Sequence, residues 1–495
     1  MGWRAALYVV TGDFIDTKKP SNAGEKALSW YAYSLIGAII LLALAILAYN
    51  LIHVSIFIGH PLSALLRFVA PLAVIGGLAL GLRRSLELRV MLANVILALL
   101  VSLYLGEAYL ALRLEAAQKS AAVQTQLRFD PRTKLQVVRD LRAVGQAVYP
   151  ITRGPNLLSE DKNRRLQPLL SAQGRPLLPL AALPATDVVA CNEAGQWLVY
   201  KTDRHGFNNA DAIWDGVAPR IAMIGDSFTH GTCVAREQNM ESLLQQRFGL
   251  TLNLGVGGDG PLFELAALKE YAEPLRPKIV LWVFFEGNDL NEDLPSELKT
   301  PILLSYLHDT SFSQDLIHKD RAISAALSAY LDRNLVEAVG RVDEPWENLL
   351  RTASLDRLRS AVGLGPIQIG YNAGDLNAEL DTFDQVMATA RQRVNAWGGK
   401  LYLVYLPESD RYLSRFGVGP VRRAIHDGVS VAARHNAIPM IDVSEAFAMS
   451  PQPGKLFVYP GSHYNPAGYA LAAQTIAARL TEDGGAPPTS NLAKP

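Results

Sequence analysis

Two cysteines in 495 residues exclude a disulfide-built scaffold. Nine histidines show neither H-x-H nor H-E-x-x-H spacing, so no metal site is expected, and no other motif leads to the expectation of a cofactor. Charge of one sign is missing too. Lys+Arg and Asp+Glu both count 47, and nothing in that balance points to nucleic acid. With 49% hydrophobic and 19% charged residues a disordered chain is excluded, and the length suggests two to four units. A local absence matters most: from Ala27 to Leu66 there is no Asp, Glu, Lys or Arg. That gap and its sequel account for a mean hydropathy of +0.11.

Residues 28–52 are apolar for long enough to cross a bilayer, which takes ~20 residues. Residues 62–82 form a second candidate, with Arg67 near one end, and 90–112 a third if Glu107 sits at the interface. Three spans are expected rather than one span and two buried core helices. Arg4, Lys18, Lys19 and Lys26 mark residues before the first span as cytoplasmic. The loop at 53–60 has no Lys or Arg, whereas Arg83, Arg84 and Arg89 follow the second span. An odd number of spans then exports everything after Leu112. The expected location is a membrane, multi-pass, with the following domain extracytoplasmic.

Residues 113–185 read as helix followed by a Pro/Leu-rich linker or wrapping segment, and 481–495 as a flexible tail. Residues 188–191 and 197–202 flank Asn192-Glu193-Ala194-Gly195-Gln196 and predict a β-hairpin. Beyond Pro219, apolar runs at 221–224, 251–254, 279–285, 401–405 and 438–441 alternate with helical patterns at 237–248, 262–271, 379–397 and 421–435. This order predicts an α/β fold, a parallel sheet with helices on both faces. Residues 296–375 break the alternation and read as a helical insertion over the C-terminal edge of the sheet.

Chemistry-bearing residues cluster after the predicted strands. Gly225-Asp226-Ser227-Phe228 puts a serine on a strand-to-helix turn, a place that serves a helix cap or an exposed nucleophile. Asn253-Leu254-Gly255-Val256-Gly257-Gly258 follows the second strand and Glu286-Gly287-Asn288-Asp289 the third, while His463 precedes the last helix. Loops leaving parallel strands converge on one sheet edge. The glycine run also satisfies G-x-G-x-x-G, but Pro261 follows it directly and it is not on the first strand, so a dinucleotide site is set aside.

These four blocks resemble the SGNH, or GDSL-type, hydrolase superfamily, named for a Ser, a Gly, an Asn and a His that match Ser227, Gly258, Asn288 and His463. The resemblance covers about 186–480 and implies a three-layer, flavodoxin-like α/β/α domain. The stretch from Asp203 to Asn208 is similar to members found with bacterial exopolysaccharide machinery. The family implies Ser227 as nucleophile and His463 as its base. The amides of Ser227 and Gly258 and the Asn288 side chain would form the oxyanion hole. The Asp usual just before the His is missing, since Pro460 and Gly461 stand there. Asp442, Asp410 or a carbonyl near Pro460 remain as orienters of the imidazole. Glu286 also replaces a usual glycine.

His205 and Asp289 are candidates for contacting substrate, and His230 for lining the cleft. Cys191 and Cys233 form either a disulfide or two buried thiols. The expected activity is hydrolysis of O-acyl, in particular O-acetyl, esters on a cell-surface or exported glycan. Acetyl transfer, a catalytically weak glycan-binding scaffold and a lipase or thioesterase are the alternatives. Expected partners are the glycan, the bilayer and a membrane export protein, with no nucleic acid.

Overall fold

A computed structural model describes residues 22–52, 61–124, 129–336, 349, 352–361, 373–413 and 418–484. The chain divides into two compact units, Met1–Leu105 and Gly106–Pro495. The first holds α1 (Asn22–Ile52), α2 (Pro61–Leu82) and the start of α3 (Leu86–Gln124). α1 packs on α2, and Tyr31 of α1 donates to Asn94 of α3 at 3.0 Å. Trp30, Leu41, Leu72, Leu99 and Leu105 lie exposed around these helices, an apolar surface of the kind lipid covers. Ala23–Leu51 and Leu86–Leu112 are long and apolar enough to cross a membrane by length and composition, whereas the middle helix offers the shorter Phe68–Leu82. Among the described residues, two of the three expected spans thus meet that test. Arg4, Lys18, Lys19 and the 53–60 loop lie outside the described residues, as does the tail beyond 484. Glu107, in the second unit, is buried and accepts from Arg357 Nη1 at 3.2 Å and Leu358 N at 2.8 Å.

After the helix Lys134–Ala143, capped by a reciprocal Thr133–Gln136 pair, come seven three-residue strands. They are β1 (Val148–Pro150), β2 (Leu158–Glu160), β3 (Leu166–Pro168), β4 (Leu170–Ala172), β5 (Arg175–Leu177), β6 (Asp187–Val189) and β7 (Val199–Lys201). β6 and β7 form the expected hairpin, and β1 joins β6 in parallel. Residues 153–184, expected as a linker or wrapping segment, are no linker. β2–β3 and β4–β5 are small hairpins, and Leu178, Leu180 and Leu183 are buried in the main core.

A five-stranded sheet follows, with β8 (Ile221–Gly225), β9 (Thr251–Asn253), β10 (Ile279–Phe285), β11 (Lys400–Leu406) and β12 (Met440–Asp442). All neighbours are parallel and the spatial order is β12-β11-β10-β8-β9. Along β10, Val280, Trp282 and Phe284 enter one core while Leu281, Val283 and Phe285 enter the other. This period-2 split is what a strand buried on both faces imposes. Helices Pro261–Ala267, Ala373–Ala396 and Pro420–His435 cover the first face; Met240–Phe248 and Pro466–Glu482 cover the second. The strand order reverses between β8 and β10, the point where such sheets bind ligands.

The insertion is helical where described, and Glu297 near its start accepts from Gly260 N at 2.7 Å, in the loop after β9. Leu303, Tyr306, Ile323, Leu327 and Leu331 join the first core. The buried Glu270 carboxylate pins the turn between those helices through Tyr306 OH at 2.7 Å and Leu316 N at 2.7 Å. Residues 337–348, 350–351 and 362–372 of the insertion lie outside the described residues.

Candidate active site

β8 ends at Gly225, where a Cβ would lie 2.2 Å from Thr229 Oγ1 and 2.6 Å from Val283 O, so the turn demands glycine. Asp226 caps the next helical turn, Ser227–His230, by accepting from Phe228 N at 2.8 Å. Ser227 is therefore the first helical residue, at the end of a central strand. His463 comes from a separate turn closed by the Phe457–Tyr464 bridge and by Val458 N donating to His463 O at 3.1 Å. Its ring lies 4.9 Å from that of Phe228, and its Nε2 is 2.8 Å from Ser227 Oγ.

On its far side the imidazole meets Glu193. His463 Nδ1 is 2.7 Å from Glu193 Oε1, and the His463 backbone N–H donates to Oε2 at 3.0 Å. Both carboxylate oxygens thus grip one residue, which sets ring orientation and tautomer together. Glu193 lies in the β6–β7 hairpin turn, two residues after Cys191. A disulfide joins Cys191 to Cys233, on the loop after Ser227–His230, with a Cα–Cα distance of 5.3 Å.

The expectation for Asp442 is corrected. Its carboxylate accepts from Ser444 N at 2.8 Å and pairs with His426 Nε2 at 2.7 Å. It ends β12, three strand spacings from β8, or ~14 Å at the usual separation. Asp410 faces Arg422 Nε at 3.6 Å, and Tyr459 O near Pro460 accepts from Ser462, so neither reaches the ring. Sequence reasoning missed Glu193 although it lay in the predicted hairpin. The one available signal was its neighbour Cys191, whose bridge brings the turn to the nucleophile.

Loops after β9 and β10, the strands flanking β8, carry Gly258 and Asn288. Gly258 has φ +78°, a left-handed conformation that suits glycine, and its amide is on the loop against Ser227. Asn288 Nδ2 donates to Asp293 Oδ2 at 2.7 Å, which fixes the amide and leaves its second N–H for a ligand. Asp289 and His205 are corrected as substrate contacts. Asp289 is buried and accepts from Phe285 N at 2.8 Å, closing the turn after β10. His205 is buried, 2.7 Å from Asp320, with its ring edge-on to Trp214. His230 is buried against Tyr200 OH at 2.6 Å, and burial lowers its pKa to about 4, so it does not line the cleft. Glu286 is held by Tyr405 OH and Arg411 and anchors the loop after β11 instead of approaching Ser227.

Burial pulls the His463 pKa down, but the Glu193 charge and its hydrogen bond, helped by Asp226, outweigh that and leave it raised. Burial lifts Asp226 to about 6. Burial and mutual repulsion hold Asp259, Glu264, Asp289 and Asp293, behind the glycine and asparagine loops, well above the usual carboxylate range. A serine hydroxyl, an imidazole and a carboxylate in line, beside amide donors on two neighbouring loops, can carry acyl transfer.

The profile of the GDSL-like lipase/acylhydrolase family matches residues 223–471. Similar solved structures include a lipolytic protein of the G-D-S-L family from Desulfitobacterium hafniense, at 15% identity and TM-score 0.29, covering 52% of this chain and 98% of that one. A lipase/acylhydrolase from Enterococcus faecalis shows 12% identity and TM-score 0.31, covering 56% and 100%. A GDSL-like lipase from Bacteroides thetaiotaomicron shows 12% identity and TM-score 0.29, covering 54% and 89%. No curated protein matches the chain. The matched span runs from β8 through the His463 turn into the last helix, and on it the chain belongs to the GDSL-like lipase/acylhydrolase family, a class of ester-hydrolysing enzymes.

Proposed function

We propose that this chain is a membrane-anchored, extracytoplasmic serine esterase that removes O-acyl groups, chiefly O-acetyl, from a cell-surface or exported glycan. The single observation that carries the chemistry is His463 held between Ser227 Oγ at 2.8 Å and Glu193 Oε1 at 2.7 Å. His463 takes the Ser227 proton as Oγ attacks the ester carbonyl, and Glu193 stabilises the imidazolium that forms. The Ser227 and Gly258 amides and the free N–H of Asn288 receive the oxyanion, each donor contributing about 2.7–4 kcal/mol. His463 returns the proton to the leaving alcohol; water, deprotonated by the same nitrogen, then releases the acid and restores Ser227. The glycan and the acetyl group rest on the four-block resemblance and on the Asp203–Asn208 stretch. The Cys191–Cys233 bridge supports an oxidising compartment.

The test uses the full-length protein in detergent, wild type beside Ser227→Ala and His463→Ala. A short-chain aryl acetate and a fluorophosphonate probe report turnover and the nucleophile. Both signals are expected from wild type and from neither variant. A folded wild type that neither labels nor turns over defeats the proposal.

A further inference from the structure

The cleft beside Ser227 has a cationic wall that the acyl chemistry leaves unused. β1 and β6 are parallel, Pro150 stands opposite Val189, and Ile151 N donates to Val189 O at 3.0 Å. The chain therefore leaves both strands on one side, and the next residues carry Arg153 and Glu193. Glu193 reaches His463. Arg153 reaches the glycine loop: a methyl group on Gly257 would lie 3.4 Å from both Ser227 Cβ and Arg153 Cδ. One on Gly258 would lie 3.2 Å from Arg153 Nη1. The Arg153 turn is seated by Gly154, where a Cβ would meet the Phe263 ring at 2.3 Å.

Lys134, in the helix packed on β1, adds a second cation, with Nζ 5.9 Å from the centre of the Trp197 ring. Burial and the nearby Arg153 hold its pKa down to about 8. Among the described residues neither Arg153 nor Lys134 has a side-chain ion pair or hydrogen bond. Asp259 and Asp293 act on Arg153 through space, without an ion pair or hydrogen bond to it among the described residues. A partly buried guanidinium without an ion pair or hydrogen bond, next to a nucleophile, is placed to meet an anion. Its planar fork matches a carboxylate or a phosphate bidentately.

We propose that Arg153, backed by Lys134, forms a subsite for an oxyanionic group, a carboxylate or a phosphate, on the acyl-bearing molecule. The inference rests on the esterase reading and narrows its substrate: the glycan is acidic, with its charge close to the scissile ester.

Two arms test it on the full-length protein. The first compares kcat/KM for O-acetylated trigalacturonate and O-acetylated xylotriose. Wild type is expected to prefer the galacturonate ester, and Arg153→Ala to cut that ratio about tenfold to a hundredfold. Arg153→Lys is expected to cut it less, and Lys134→Ala less again. A wild-type ratio near unity, or equal losses on both esters, overturns the subsite. The second arm needs no turnover. It measures binding of trigalacturonate, xylotriose and inorganic phosphate to Ser227→Ala by calorimetry, with and without Arg153→Ala. Trigalacturonate binding that depends on Arg153 supports a carboxylate, and phosphate binding alone supports a phosphate ester. Binding of neither anion overturns the subsite, while anion binding without ester turnover leaves it standing and defeats only the esterase reading.

Discussion

At the scale of single residues, Glu193 decides most. The base must be neutral to accept the serine proton, so activity is present above the His463 pKa and lost as pH falls through it. Because that pKa is raised, the acid limb of kcat/KM is expected above the ordinary histidine value of 6.5. Glu193→Gln removes the charge that raises it. The limb is then expected to move to lower pH while the plateau of kcat falls ~10⁴-fold, as when an orienting carboxylate becomes an amide elsewhere. A pH–rate profile of both proteins checks the shift, and an unmoved limb would deny Glu193 its role. Asp442→Asn is expected to leave the profile in place, since its partner is His426. Ser227, Gly258 and Asn288 were legible because each sits in a short local motif after a strand, and His463 because its motif opens the last helix. Glu193 was not, because its partner lies 270 residues away and no local pattern encodes such a pairing.

At the scale of elements, the β6–β7 hairpin is held to the nucleophile loop by Cys191–Cys233. The 42-residue separation corresponds to about 4 kcal/mol of lost denatured-state entropy. The double variant Cys191→Ser/Cys233→Ser is expected to lower Tm and also kcat, because the released turn carries Glu193. A thermal melt and a turnover assay on the same sample check both, and an unchanged kcat would show that the hairpin holds Glu193 without the bridge. β8, β10 and β11 were readable as continuous apolar runs, which buried parallel strands require. The hairpins within 153–184 were not. Strands of three residues are too short to display a period, and their leucines look the same in a linker as in a core.

For the whole molecule the open quantity is the parity of membrane crossings. α1 and the apolar part of α3 meet the length requirement outright. α2 runs for 22 residues, a rise of ~33 Å against a ~30 Å hydrocarbon core. With the residues before α1 in the cytoplasm, as proposed, three crossings would export the domain; two would return it to a reducing cytoplasm where Cys191–Cys233 would not persist. Alkaline phosphatase fused after Pro495 is expected to be active, and a cytoplasm-only reporter at the same place is expected to be silent. The reverse pair of results would overturn the topology. The small sheet upstream of the family-matched span has one more effect. A protein trimmed to residues 223–471 would keep its serine, glycine, asparagine and histidine blocks intact. It would also have lost the carboxylate that holds the histidine, so a fragment that passes every motif inspection would be an engine without its timing gear.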